Sequence, residues 1–254
     1  MGYTDINAET IDRWVEKGWE WGVPISHEQF AAARDGHWDM QLTPVKPVPK
    51  NWYPPLSGKN VLGLASGGGQ QMPVFAALGA NCTVLDYSKK QIESERMVAV
   101  REGYEIQTIR ADMTKPLPFE DETFDLIFHP VSNCYIEDVM HVWKECYRIL
   151  KPGGLLMAGL DNGVNFLFDG ENEREIRFAL PFNPLKNEEQ RMNLQSNGDG
   201  IQFSHTLEEQ IRGQLKVGFR LVDLYEDTNG SGFLHENRIP TFWATLAEKP
   251  KVCE

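Results

Sequence analysis

The sequence has few cysteines, and their spacing does not suggest a metal site. Its 254 residues include four: Cys82, Cys134, Cys146 and Cys253. None forms a Cys-x-x-Cys pair and no histidine cluster accompanies them, so we expect no metal. Cys82 and Cys146 fall in apolar patterns and are interpreted as small buried side chains. Unpaired cysteines fit a reducing compartment, and we expect the protein in the cytoplasm.

Long apolar runs and an excess of positive charge are also absent. No run approaches the roughly 18 apolar residues that a membrane-spanning helix needs. The first residues lack the basic and apolar pattern of a secretory signal. The net charge is −12, which would repel a polyanion over most of the surface. We therefore expect neither a membrane nor a nucleic acid as partner, and the sequence leaves the oligomeric state open.

What the sequence does contain is a glycine loop directly after a short apolar run. The run Val61–Ala65 leads into the three glycines 67–69. A second apolar run follows about twenty residues later and ends on Asp86. This layout is typical of a nucleotide-cofactor site in a parallel α/β sheet. The glycines let the backbone approach the cofactor, and the acid accepts hydrogen bonds from ribose hydroxyls.

The chain divides into a long alternating part and two stretches that differ from it. Residues 1–58, here the N-terminal segment, hold five of the seven tryptophans and predict a helical cap followed by a proline-rich, extended strap. Residues 59–254 alternate strands and helices, which predicts βαβ units. Within them residues 160–203, here the insert, show no sustained period and are expected to form a lid or substrate wall. No helix is expected between strands at 220–225 and 241–246, so these should pair antiparallel.

Four features follow one another in a fixed order along the alternating part. They are the glycine loop, Asp86 after the second strand, Asp112 after the third, and His129-Pro130 at the end of the fourth. With this set the sequence resembles class I S-adenosylmethionine-dependent methyltransferases, in the small-molecule branch with a type 11 methyltransferase domain. The resemblance covers 58–160 well and 204–247 in outline. It implies a Rossmann-like α/β fold: a seven-stranded, mostly parallel sheet with an antiparallel last strand and helices on both faces.

The resemblance implies S-adenosylmethionine as the cofactor and a set of residues that bind it. The glycine loop would approach the methionine carboxylate, Asp86 the ribose, and Asp112 the adenine amino group. The Met113 N–H would bind a ring nitrogen, with Tyr87 and Met113 against the adenine faces. The predicted cofactor-binding set is Gly63, Ala65, Ser66, Gly67, Gly69, Asp86, Tyr87, Ala111, Asp112, Met113 and His129.

The glycine loop departs from the family pattern. The family usually has an acid where Gly63 stands, a glycine where Ala65 stands and often a cysteine where Ser66 stands. Because the acid usually helps to hold the cofactor ammonium, a non-catalytic S-adenosylmethionine or S-adenosylhomocysteine binder that acts through partners is the alternative function. A nicotinamide enzyme is a weaker alternative, since the Gly-x-Gly-x-x-Gly pattern is incomplete.

The expected activity is methyl transfer from S-adenosylmethionine to a small-molecule acceptor by in-line displacement. The sequence does not specify the acceptor molecule or atom. His129 is the candidate general base, since imidazole titrates near neutral pH and the family places this strand end at the methyl group. An equally weighted interpretation is that His129 only lines the cofactor pocket, by its backbone. Tryptophans of the N-terminal segment could face an aromatic or cationic acceptor, or simply pack the cap onto the sheet.

Overall fold

The computed structural model describes residues 2–170 and 173–251. Its strands are β1 (Asn60–Leu64), β2 (Asn81–Asp86), β3 (Ile106–Arg110), β4 (Phe124–His129), β5 (Leu150–Asp161), β6 (Arg220–Asp227) and β7 (Phe242–Glu248). Its α-helices are α1 (Tyr3–Glu16), α2 (His27–Arg34), α3 (Gln71–Ala77), α4 (Lys89–Glu102), α5 (Val139–Ile149), α6 (Glu188–Asn197), α7 (Gly213–Val217) and α8 (Gly232–Glu236). All of these helices are too short or too polar to cross a bilayer.

The seven strands form one sheet in the order β3-β2-β1-β4-β5-β7-β6. The pairs from β3 through β5 are parallel, and β7 lies antiparallel to both β5 and β6. The predicted seven-stranded sheet with an antiparallel last strand is therefore confirmed. One detail was wrong: the five-residue helix α8 lies between β6 and β7. It does not alter the antiparallel pairing, because it is too short for a parallel crossover.

The central parallel strands β1, β2 and β4 are buried on both faces, as a parallel sheet requires, whereas the edge strands β3 and β6 are partly exposed. Successive residues of β1 point to opposite faces. Val61 packs in a cluster with Phe75 of α3, whereas Leu62 packs in a cluster with Trp143 of α5. Because each face is covered by helices, the carboxyl ends of the strands are left as the edge at which a ligand can bind.

The N-terminal segment crosses this carboxyl edge. Helix α2 begins with a capping box between Ser26 and Gln29. Further along, the Leu42 carbonyl accepts a hydrogen bond from the Val131 N–H at 3.1 Å, just beyond β4. The same oxygen would lie 2.0 Å from a Cβ added to Gly159 of β5. Only a glycine at position 159 therefore lets the proline-rich stretch lie this close to the sheet.

The insert contains a helix that periodicity did not predict. Helix α6 starts at the N-cap Asn187, whose side chain accepts from the Gln190 N–H, and ends at Gly198 in the left-handed conformation with φ 73°. Only Gln190 and Leu194 of α6 are buried. A helix with so little apolar surface carries almost no hydrophobic period, so its caps were the only sequence signal.

Candidate active site

A cavity of about 680 Å³ lies at the carboxyl edge of the sheet, beneath the N-terminal segment. Its volume is in the usual range for a small-molecule site. Strand ends β1 to β4 supply one side, and α1 with the proline-rich stretch supplies the other. The lining residues are Thr4, Asn7, Ala8, Ile11, Trp14, Lys17, Gly18, Trp19, Trp21, Gln41, Leu42, Thr43, Pro44, Ala65, Ser66, Gly67, Gln70, Gln71, Leu85, Asp86, Tyr87, Ser88, Gln91, Ala111, Asp112, Met113, Pro130, Val131, Ser132, Cys134, Tyr135, Ile136, Asp199 and Phe242.

The glycine loop is held against Asp86. The Gly67 N–H donates to Asp86 Oδ2 at 3.0 Å. A Cβ at position 67 would lie 2.9 Å from that same oxygen and 2.6 Å from Gln91 Cβ, so the contact requires a glycine. Ala65 takes φ 48°, a conformation that favours glycine, which accounts for the glycine usual at this position.

Asp86 is a buried carboxylate at the cavity wall. Its Oδ1 accepts the Ser88 N–H at 2.9 Å, while Oδ2 accepts the Gly67 N–H. Burial raises the pKa of Asp86 to about 6, against the lowering effect of these backbone hydrogen bonds. Because each carboxylate oxygen has two lone pairs, both oxygens keep the capacity to accept further hydrogen bonds from a ligand.

Ser88 caps the start of α4. Its Oγ accepts the Gln91 N–H at 3.1 Å and donates to Asp12 of α1 at 2.5 Å. The two residues do not complete a capping box, because the Ser88 N–H binds Asp86 and the Gln91 side chain donates to the Trp21 carbonyl at 3.4 Å. Helix α1 is thereby fastened to the start of α4.

The residues expected at adenine lie together at the ends of β2 and β3. The Tyr87 hydroxyl donates to Asp5 of α1 at 2.7 Å. Asp112 Oδ1 accepts the Thr114 N–H at 2.8 Å. The backbone N–H of Met113 donates no hydrogen bond to any other described residue, although Met113 is buried. An unpaired buried N–H at a cavity wall is a site for a ligand acceptor.

Two predicted residues lie behind the cavity wall rather than in it. A Cβ at Gly63 would lie 2.5 Å from Met72 Sδ, so the methionine fills the space of the usual acid. Gly69 faces away from the cavity, and its N–H donates to Glu95 Oε1 at 2.7 Å. Their roles are to permit packing and to shape the loop.

Glu95 is a buried acid behind the glycine loop that sequence reasoning missed. It is fully buried on α4, and burial raises its pKa to about 8. Its Oε2 has no hydrogen-bond partner among the described residues. The available signal was its place on the buried face of α4, three residues from both Ile92 and Val98. A charged residue at a core spacing is a candidate for a specific polar contact.

His129 does not reach the cavity. It is 0% exposed and is not among the lining residues. Its Nδ1 lies 2.8 Å from the Leu64 carbonyl, and its Nε2 lies 2.8 Å from the Asn133 side-chain amide. Neither expectation fits this geometry. Both ring nitrogens are already hydrogen-bonded, so the imidazole is not free to act as a base, and His129 is not in the cavity wall, so its backbone does not line the pocket.

A neutral His129 completes the hydrogen bonding around it. Burial lowers the pKa of His129, so the imidazole carries one proton, and the Leu64 carbonyl places that proton on Nδ1. Nε2 must then accept. This is possible if the side-chain amides of Asn133 and Gln210 are rotated so that their nitrogen and oxygen atoms exchange places. The Asn133 amide then donates to His129 Nε2. Gln210 Nε2, which otherwise has no partner, donates to the Asn133 side-chain oxygen. The histidine therefore anchors the end of β4.

Three of the five tryptophans in the N-terminal segment line the cavity: Trp14, Trp19 and Trp21. Trp52 is instead buried under the sheet, where its Nε1 donates to Asp223 at 2.9 Å. Asn7 of α1 joins this segment to the insert: it accepts the Ile201 N–H at 2.6 Å and donates to the Ile201 and Tyr135 carbonyls. The insert itself contributes Asp199 to the wall.

The ionisable groups of the cavity wall include no histidine. Across residues 2–170 and 173–251, no group of three histidine, cysteine or acidic side chains could hold a metal ion. Cys82, Cys134 and Cys146 are buried and free, whereas Cys253 lies outside the described residues. The site is thus built from acids, amides and aromatic side chains.

Comparison with known proteins agrees with this geometry. A family model described as a methyltransferase domain matches residues 62–158. The chain is 43% identical over 249 residues to the Bacillus subtilis methyltransferase YbaJ, covering 96% of this chain and 97% of that one. It is 32% identical to the ubiquinone biosynthesis O-methyltransferase of a Chelativorans strain over 63% of this chain and 64% of that one.

Solved structures share the fold at low sequence identity. The S-adenosylmethionine-dependent methyltransferase of Mesorhizobium loti has a TM-score of 0.64 and 19% identity, over 78% of this chain and 94% of that one. A similar enzyme from Listeria monocytogenes has a TM-score of 0.61 and 18% identity, over 87% and 100% of the two chains. With the whole-length likeness to YbaJ, these findings place the chain in the class I S-adenosylmethionine-dependent methyltransferase family, and S-adenosylmethionine is its cofactor.

Proposed function

We propose that the enzyme transfers a methyl group from S-adenosylmethionine to a small-molecule acceptor by in-line displacement inside the cavity. The observation that carries the proposal is that one cavity has two kinds of wall. The strand ends of β1 to β3 offer the acids and backbone groups of a nucleotide site, while α1, the proline-rich stretch and the turn after β4 offer apolar surface. Two reactants held in one chamber meet the positional requirement of a displacement.

The cofactor fits the strand-end side. We assign the ribose hydroxyls to Asp86, whose carboxylate can accept two charge-assisted hydrogen bonds. We assign adenine to the space beside Tyr87 and Met113, with the unpaired Met113 N–H and the Asp112 carboxylate as its polar partners. The bound cofactor supplies the methyl group on a sulfonium sulfur, and the protein orients it and excludes water.

Gln71 is the residue we assign to the cofactor ammonium in place of the missing acid. It lines the cavity and is 8% exposed, at the start of α3. Its side-chain oxygen lies 3.1 Å from Ser66 Oγ, so the two buried side chains hold each other. Met72 leaves no room for an acid at position 63, and an amide oxygen is the nearest neutral substitute as an acceptor.

We propose that positioning dominates catalysis and that His129 is not its base. The imidazole instead fixes the end of β4 through Leu64 and Asn133. We further propose that residues 59–254 form the methyltransferase domain, over which the N-terminal segment (1–58) and the insert (160–203) close. Asn7 supports this closure, because it hydrogen-bonds to both the insert and the turn after β4. A cytoplasmic location stays part of the proposal.

A small, largely apolar acceptor is supported by the relatives as well. One of them is named a ubiquinone biosynthesis O-methyltransferase, and another, 31% identical over 70% of this chain and 42% of its own length, is named sterol methyltransferase-like 3 of Botryococcus braunii. The net charge of −12 speaks against a nucleic-acid acceptor.

The test is calorimetric titration with S-adenosylhomocysteine, followed by methyl-transfer assays with S-adenosylmethionine and a panel of small amines, phenols, thiols and alkenes. We expect micromolar binding of S-adenosylhomocysteine and turnover of at least one class of acceptor.

The Gln71→Glu variant should bind S-adenosylhomocysteine more tightly. It should bind 5′-methylthioadenosine, which lacks the amino-acid end, with unchanged affinity. If a folded native sample did not bind S-adenosylhomocysteine, the cofactor assignment would be contradicted. If the enzyme methylated an RNA pool and none of the small molecules, the small-molecule acceptor would be contradicted.

A further inference from the structure

The half of the cavity wall that the cofactor does not need is aromatic. The rings of Trp14 and Trp19 lie 5.3 Å apart, and the ring of Trp14 lies 6.5 Å from that of Tyr135. Trp14 and Trp19 are only half-buried although they line a cavity under the N-terminal segment. Indole and phenol faces carry negative potential, so they attract cations as well as apolar groups.

One carboxylate faces this aromatic half. Asp199 of the insert lines the same cavity and is half-buried. Its side chain forms no hydrogen bond or ion pair with another residue in the described part of the chain. The Asp199 charge also acts on Tyr135. The pKa of Tyr135 is raised well above its ordinary value, chiefly by burial and to a smaller extent by the nearby Cys134 and Asp199. A half-buried acid without a partner is an unused binding group.

The two side-chain amides in this half already have partners. The Asn7 amide binds Ile201 and Tyr135, and the Gln41 amide donates to the Pro44 and Val45 carbonyls. The wall also holds one basic side chain, Lys17, which is exposed to solvent. Asp199 is therefore the half-buried charge that a ligand in the aromatic half meets, whereas the Lys17 charge is screened by water.

We propose that the acceptor is an amine carried on an apolar body, and that its ammonium form binds Asp199 against the wall of Trp14, Trp19 and Tyr135. The proposal rests on the proposed methyl transfer and names its substrate class. An anionic nucleophile, such as a thiolate or a phenolate, would be repelled by Asp199. A neutral apolar acceptor would leave the carboxylate desolvated without a partner.

The proton and charge balance follow from this arrangement. The bound ammonium gives one proton to the Asp199 carboxylate, which frees the nitrogen lone pair. The lone pair forms the new N–C bond as the S–CH3 bond breaks, and its electron pair stays on sulfur, which becomes a neutral thioether. The nitrogen is then positively charged again, and Asp199 returns its proton to solvent. The aromatic faces favour the methylated cation as they favour the substrate cation.

Binding of a matched set of probes tests the proposal without turnover. The probes are 2-phenylethylamine, its neutral counterpart 2-phenylethanol, and the anion 3-phenylpropanoate, each titrated into the full chain saturated with S-adenosylhomocysteine. We expect the amine to bind at least about tenfold more tightly than the alcohol, which corresponds to ~1.4 kcal/mol. The Asp199→Asn variant should lose this preference, and Glu188→Gln, which changes an exposed acid of the insert outside the cavity wall, should keep it.

Several results would overturn the proposal. Equal binding of amine and alcohol, a preference for the anion, binding of none of the probes, or an amine preference that survives Asp199→Asn would each do so. A loss of S-adenosylhomocysteine binding in Asp199→Asn would also overturn it, by assigning the acid to the cofactor. Methylation of phenols or thiols but not amines would contradict the substrate class while leaving the proposed methyl transfer intact, whereas failure to bind S-adenosylhomocysteine in the native chain would contradict that function itself.

Discussion

The two halves of the cavity are built in different ways. The cofactor half comes from three successive strand ends between residues 65 and 113. The acceptor half is assembled from α1, the proline-rich stretch, the turn after β4, Asp199 and Phe242. The first half is local in sequence and the second joins residues nearly 200 positions apart, such as Asn7 and Ile201. The residues that we assign to the cofactor are therefore encoded locally, whereas those that we assign to the acceptor come together through long-range packing.

The two halves also differ in how they are held. Asp86 accepts hydrogen bonds from the Gly67 and Ser88 N–H groups, and the buried carboxyl group of Glu95 accepts one from the Gly69 N–H, which fixes the glycine loop before any ligand binds. The acceptor half is closed mainly by side-chain contacts between α1 and the insert, through Asn7 and the Arg13 bond to the Gly198 carbonyl. We therefore expect a preformed cofactor half and an acceptor half that opens by local motion.

The largest effect should come from Asp86→Asn. Loss of charge-assisted hydrogen bonds, each contributing roughly 1.5–3 kcal/mol, predicts at least ~100-fold weaker S-adenosylhomocysteine binding by calorimetry. An amide also cannot accept from both Gly67 and Ser88 through equivalent oxygens. The control is Asp121→Asn, an exposed acid outside the cavity wall. If both variants lost the same amount of affinity, or if Asp86→Asn lost none, the assignment of Asp86 to the cofactor half would be contradicted.

Cofactor binding should also weaken in acid. Burial raises the pKa of Asp86 to about 6, and only the ionised form accepts both ribose hydroxyls. Affinity should therefore fall about tenfold per pH unit below that value. The effect of pH on protein stability has the opposite sign. Because burial raises the pKa of Asp86 in the folded state, this residue stabilises the fold below its unfolded pKa of about 3.9. That contribution is lost as pH rises through about 6. A pH-independent affinity between pH 4 and 7 would contradict the role of Asp86.

A smaller and spatially separate effect is expected for Asn7→Ala. The variant leaves the Ile201 N–H and the Tyr135 and Ile201 carbonyls without their partners, at a cost of about 1–3 kcal/mol in the closed state. Hydrogen exchange at Ile201 should accelerate roughly tenfold, while the affinity for S-adenosylhomocysteine changes less than about threefold. Asn193→Ala on α6 is the matched control. If the affinity for S-adenosylhomocysteine fell by the same factor as the hydrogen-exchange protection of Ile201, the cofactor half and the acceptor half would not be independent of each other.

The smallest change in binding is expected for Glu95→Gln. The amide oxygen can still accept from Gly69, so S-adenosylhomocysteine affinity should stay within about twofold. Stability should change with pH, because burial raises the pKa of Glu95 to about 8 and its contribution is lost as pH rises through that value. The variant should exceed the native chain by about 5 kcal/mol at pH 9 and match it near pH 4 in urea unfolding, because one pKa unit above the unfolded value of about 4.3 corresponds to about 1.4 kcal/mol. Lower stability at pH 9 would show that Glu95 is ionised and paired.

The cofactor half was largely predictable because its signals are local. Strand β2 ends on Asp86, where the second apolar run of the sequence ends, and eight of the eleven predicted cofactor residues line the cavity. A glycine loop after one strand and an acid after the next are set by chain geometry alone, since parallel strands end at the same edge. The assignment of these residues to parts of the cofactor stays a prediction.

The helix of the insert, the burial of His129 and the position of Asp199 could not be predicted from patterns of neighbouring residues in the sequence. Helix α6 has little apolar surface, so no period revealed it. His129 was a reasonable base by chemistry, but its burial and its bonds to Leu64 and Asn133 arise from packing between β1, β4 and the turn that follows. Asp199 reaches the cavity only because the insert folds back onto α1, a contact that spacing along the chain does not reveal.

The division of the cavity can be tested by a crystal structure of the full chain with S-adenosylhomocysteine. We predict the ribose hydroxyls on Asp86, adenine beside Tyr87 and Met113, and the amino-acid end at Ser66 and Gln71. We also predict that the thioether sulfur faces the space beside Trp14 and Asp199. A cofactor whose adenine lies against the tryptophans, with Asp86 out of hydrogen-bond reach, would contradict the division of the cavity into a cofactor half and an acceptor half.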